Sequence, residues 1–102
     1  MDSWSVADRN REIVFDVINA VDWAQTRYIA KHSNQFEELN PILGKHPSIS
    51  QVNWYFLSET IGHSLVTYAI PARWRPFWQG MTIGVELETT VHNARIGIRM
   101  EF

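Results

Sequence analysis

Hydrophobic and polar positions divide the chain into three segments. Across residues 10–30, Val14, Val17, Ile18, Val21, Ala24 and Tyr28 recur at steps of three and four, which is the spacing of one helical face. A helix is expected there, with Asp8 as its N-cap and Glu12 near the positive end of the helix dipole. Asp16, Asn19, Asp22 and Gln25 interrupt its hydrophobicity, so alone it is a poor membrane span. The second run, Val52 to Ile70, stops at Pro71 and carries only Glu59 and His63 as ionisable groups. Read as a helix over residues 50–70, it approaches the roughly 20 residues that a bilayer crossing needs.

The third segment, 76–102, fits two patterns. Met81, Ile83, Val85 and Leu87 alternate with Thr82, Gly84, Glu86 and Glu88, and the alternation resumes at Ile96, Ile98, Met100 and Phe102. Strict alternation predicts a C-terminal β-hairpin over residues 81–102, turning at His92-Asn93-Ala94. A helix from Phe77 to about Ala94 competes, with Met81, Val85 and Thr89 on one face and Glu88 and His92 on another.

The connection, residues 31–49, contains "ELNPILGKHPS". Asn40 suits a cap, Pro41 a first helical position and Gly44 a terminus with positive φ, so a short capped turn is expected between the first two helices. His46-Pro47 forces an extended approach, and Ser48-Ile49-Ser50-Gln51 fits the capping box that starts the second helix.

At 102 residues the chain is expected to form a single domain. Nine Lys and Arg nearly balance eleven Asp and Glu, so no strong field marks a nucleic-acid binder. The absence of cysteine removes disulfides and thiolate chemistry, and any metal would need His and carboxylates. Five tryptophans suit either a core or a membrane interface. In "PARWRPFWQG", Arg73 and Arg75 sit beside Trp74 and Trp78 at the end of the apolar run, as in an interfacial belt. The opening "MDSWSVADRNRE" is polar and acidic, unlike a signal peptide.

Two constellations could carry chemistry. Glu59-x-x-x-His63 and Glu88-x-x-x-His92 each place a carboxylate and an imidazole on one helical face, and with Asp22 they compose a ligand set suited to a divalent metal such as zinc, iron or manganese. The bland reading of each pair is a satisfied polar contact. Asp22, Gln25 and Thr26, within "DWAQT", form a polar group on the first helix that serves either a site or interhelical packing. His46 is a further candidate in the connection. Hydrolase and nucleotide-binding signatures are absent.

"DWAQT", "E-x-NP-x-x-G-x-HP", "GH" and "HN" together resemble small bacterial and phage integral membrane proteins of no assigned activity. In these, an Asp-x-x-x-Thr pattern precedes a Glu-x-Asn-Pro loop between hydrophobic helices. Asp22, Thr26, Glu38, Asn40, Pro41, Gly44, His46, Pro47, His63, His92 and Asn93 carry the resemblance. It implies an all-α, three-helix, membrane-associated bundle of bacterial or phage origin, with Glu38, Asn40 and Asn93 joining the candidate polar site. Arg11, Glu12, Asp16, Glu86 and Glu88 are more charge than such helices carry, and each ionised group near mid-bilayer costs a few kcal/mol.

The expected function is therefore that of a small helical membrane protein, in contact with lipid and acting through homo-oligomerisation or protein partners, without a resident cofactor. Arg9, Arg11, Arg73 and Arg75 on one side against Lys31, Lys45 and Arg99 on the other favour an inner-membrane protein with a cytoplasmic N-terminus. The rival is a soluble, cytoplasmic metal-binding or catalytic bundle using Asp22, His63 and His92. A structural α+β protein is the third alternative.

Overall fold

A computed structural model describes residues 3–32, 36, 42–44 and 46–101. Three helices follow one another: α1 (Val6–Lys31), α2 (Ile49–Ala69) and α3 (Arg75–Arg95), with one 3-10 turn (Ala72–Trp74) ahead of α3. The all-α architecture matches the expectation, and the alternative hairpin does not form. Residues 81–95 continue α3, and among the described residues there is no strand.

The N-cap of α1 is Ser5 rather than Asp8. Ser5 Oγ accepts from the Asp8 N–H at 3.0 Å while Asp8 Oδ2 accepts from the Ser5 N–H at 3.0 Å, so Asp8 is the third residue of a reciprocal capping box. The box read at Ser48 and Gln51 is present, with bonds of 2.8 and 3.1 Å opening α2. Gly44 has a φ of +80°, as its place in the turn suggested. The proposed cap Asn40, with Pro41, lies outside the described residues.

α1 packs against both other helices, whereas α2 and α3 meet sparingly. Side-chain pairs set the directions. Trp23 bonds Asn53 and Glu12 meets His63, so α1 and α2 are antiparallel; Asp8 meets Arg75 and Gln25 meets Asn93, so α1 and α3 run parallel. After α3 the chain turns at Gly97, φ +91°, and folds back: Ile98 is buried and the Glu101 N–H donates to Ala24 O at 2.9 Å.

The interior is inverted in polarity. Among the described residues the buried apolar side chains are Phe15, Ala24, Ile29, Pro47, Val52, Phe56 and Ile98, against twelve buried polar or charged residues. Val14 and Val17, two of the six residues of the apolar stripe that marked α1 as a helix, point outward, as do Trp54, Leu57, Ile61 and Leu65 on α2 and Phe77, Met81 and Val85 on α3. The inward stripes are polar. On α1 they run Asp8, Glu12, Asn19, Asp22 and Thr26, and on α3 Gln79, Thr82, Glu86, Thr90 and Asn93, at steps of three, four and seven. No helix among the described residues is long and apolar enough to cross a membrane.

Candidate functional site

The polar interior falls into three regions along the bundle. At the end where α1 and α3 begin, Arg75 is wholly buried. Its Nε donates to Thr67 O at 2.7 Å, Nη2 to Tyr68 O at 3.1 Å, and Nη1 to Ser3 O and Asp8 Oδ2, both at 3.0 Å. One guanidinium thus satisfies carbonyls in the last turn of α2 and neutralises the carboxylate that opens α1. Arg11 closes on the other oxygen of Asp8 and donates from Nε to Gln79 Oε1 at 2.7 Å.

One turn further in, Glu12 is the hub. Its Oε2 lies 2.6 Å from His63 Nδ1 and accepts from Ser64 Oγ at 3.0 Å; its Oε1 accepts from Gln79 Nε2 at 3.0 Å and Thr67 Oγ1 at 3.3 Å. Such a set of donors suits an ionised carboxylate. His63 reaches Thr82 Oγ1 with Nε2 at 2.7 Å, and its ring lies between Phe15, stacked at 3.6 Å, and Trp78 at 5.0 Å. Carboxylate, imidazole and hydroxyl stand in line, but Thr82 Oγ1 also bonds the helix carbonyls of Trp78 and Gln79 at 3.0 and 3.1 Å. The arrangement ties three helices together.

Towards the other end, Gln25 Nε2 donates to Thr90 O at 3.0 Å and Gln25 Oε1 accepts from Asn93 Nδ2 at 3.2 Å. Thr26 turns its hydroxyl back to Asp22 O at 2.8 Å. Asn19 donates to Thr60 Oγ1 at 2.8 Å, while its own Oδ1 has no protein partner. Lys31 pairs with Glu101 at 2.9 Å on the partly exposed rim, and that hydrogen bond, followed by the ammonium charge, holds the Glu101 carboxyl below its ordinary value.

Where α2 and α3 part, a cleft of about 590 Å³ opens over α1, lined by Asp22, Thr26, Tyr55, Phe56, Glu59, Val85, Glu86, Glu88, Thr89 and His92. The expected metal ligands are therefore divided. Asp22, Glu59, Glu88 and His92 line this cleft, but His63 belongs to the Glu12 network. Among the described residues no group of three His, Asp or Glu side chains is disposed to hold a metal ion.

Of the candidate polar site, Asp22, Gln25, Thr26 and Asn93 are all buried and lie in one region. His46 is exposed in the connection, and Glu38 and Asn40 lie outside the described residues. Sequence reasoning missed Asp8, Arg75, Thr67, Gln79 and Thr82 as interior residues. The usable signal was the polar repeat itself, which has the same helical period as the apolar one. No protein-family model, curated protein or solved structure matches the chain.

Proposed function

We propose that this chain is a small helical membrane protein that acts by assembling with its own copies or with protein partners. The observation that carries the reading is the inversion of polarity. Nineteen large apolar side chains are exposed among the described residues, while the side chains that hold the helices together are mostly polar. Water offers such an exterior no compensation, since bundles in water bury their apolar faces. Lipid does, and in lipid polar side chains belong inside the bundle, paired with one another.

Part of the polarity of each helix is turned inward, at Glu12, Asn19 and Asp22 on α1, His63 and Thr67 on α2 and Gln79, Thr90 and Asn93 on α3, while Arg9, Ser58 and Glu88 remain on the exterior. At 21 residues, α2 and α3 are each about 31 Å long, close to a hydrocarbon core of about 30 Å. Support for assembly comes from α3. Gly80 and Gly84 stand one turn apart on its exposed side beside Met81, with open space where a Cβ would be, so another helix can approach closely there.

Membranes from cells expressing the chain, washed at alkaline pH, test the reading. The protein is expected to stay in the pellet and to be released by mild detergent as a defined oligomer. Recovery as a monodisperse species in detergent-free buffer contradicts it.

A further inference from the structure

The two ends of the bundle differ in how their charges are used. At the end built from the start of α1, the 3-10 turn and the start of α3, both oxygens of Asp8 are bonded, by Arg11 and by Arg75. Arg75 is fully buried, so the cluster of four arginines seen in the sequence does not face outward as four charges. Arg9 and Arg73 do face outward, and among the described residues no carboxylate at this end is left to oppose them. Beside them, Trp74 is 52% and Phe77 72% exposed, with the Arg73 guanidinium 5.8 Å from the Trp74 ring centroid. At the opposite end Lys31 is paired with Glu101, while Arg95 and Arg99 also face outward.

We infer that this end docks onto the phosphate headgroups of an anionic lipid surface, Arg9 and Arg73 meeting the phosphates while Trp74 and Phe77 enter the interface. The inference rests on the membrane reading and deepens it by naming the lipid and the end that meets it. Two cations that face no carboxylate among the described residues complement an anionic leaflet; the Trp74 indole, apolar with one N–H, suits headgroup depth, and Phe77 adds apolar ring area beside it. Pro71 and Pro76, on either side of Arg73 and Trp74, restrict the backbone that presents the patch.

The test uses the full chain, diluted from mild detergent into preformed vesicles of phosphatidylcholine, with or without phosphatidylglycerol, and recovered by flotation. Wild type is expected to float with both and to partition more strongly onto the anionic vesicles, by about five-fold for each of the two arginines. The Arg9→Gln/Arg73→Gln variant should lose that preference and keep its binding to neutral vesicles and its helical circular dichroism. Trp74→Ala/Phe77→Ala should weaken binding to both. Equal partition of wild type onto the two vesicles overturns the inference while leaving the membrane reading intact. So does an equal loss of preference from Arg95→Gln/Arg99→Gln, which removes the same charge at the other end. Failure to float with either vesicle overturns both.

Discussion

Arg75 joins three parts of the chain, because it binds α2 carbonyls, the Ser3 carbonyl and the Asp8 carboxylate while fully buried. Removing one member of a buried ion pair strands the other, which costs about 3–5 kcal/mol. Arg11 stays on the other Asp8 oxygen, so Arg75→Met is expected to lower unfolding stability in detergent by about 3 kcal/mol, the lower end of that range. Arg75→Lys should recover little of it, since an ammonium cannot reproduce the planar fork. Gln25→Leu is milder in chemistry and leaves one carbonyl, Thr90 O, and the Asn93 amide without their partner, so a loss of about 1–3 kcal/mol is expected in the same measurement. Asp22, Gln25, Thr26 and Asn93 could be singled out from sequence because they are polar residues amid apolar ones. Arg75 and Asp8 could not, since a charged residue at a helix end ordinarily faces water, and the sequence offers no sign that these two lie 3.0 Å apart.

At the scale of elements, the first two helices were legible in position, the third was left between helix and hairpin, and the faces the helices turn inward were not legible. The three- and four-residue steps of Val14, Val17 and Val21 report a helix whichever side they occupy, and here Val14 and Val17 lie outside. The alternation at 81–88 has a related origin. Apolar residues cover most of the periphery of α3, flanking the inward Thr82 and Glu86, and sampling such a helix residue by residue produces a period near two over one short stretch. The turn chemistry was read more securely, because a capping box is local: Ser48→Ala should cost about 1 kcal/mol and fray the first turn of α2, seen as faster amide exchange at Gln51. The C-terminal segment has its own pH signature. Because Lys31 holds the Glu101 carboxyl low, the stabilisation from this pair is present above the ordinary carboxylate value and is lost as pH falls through the lowered one. Exchange protection at the Glu101 amide, which bonds Ala24 O, should fall with it, and Glu101→Gln should remove the pH dependence.

Across the whole molecule, a bundle about 46 Å long buries twelve polar or charged residues among those described, while nineteen large apolar side chains, Trp54, Leu65 and Phe77 among them, stay exposed. Of the charges on α1 and α3 that look prohibitive for a membrane helix, Glu12 is buried among polar groups and Glu86 lines the cleft, whereas Glu88 is exposed. Assembly belongs to this scale too. Gly84→Leu fills the open face of α3 and is expected to shift the detergent-solubilised oligomer to a smaller species in analytical ultracentrifugation, without loss of helix content.

The chain has no cysteine, so single reporters can be placed at will. The most direct test of the inverted bundle is the collision rate of spin labels at Leu65 and Met81, on the outer faces of α2 and α3, with the protein reconstituted in lipid vesicles. An exterior covered by lipid predicts high accessibility to oxygen and low accessibility to a water-soluble nickel complex at both positions. The reverse, with nickel reaching both labels freely, would contradict it.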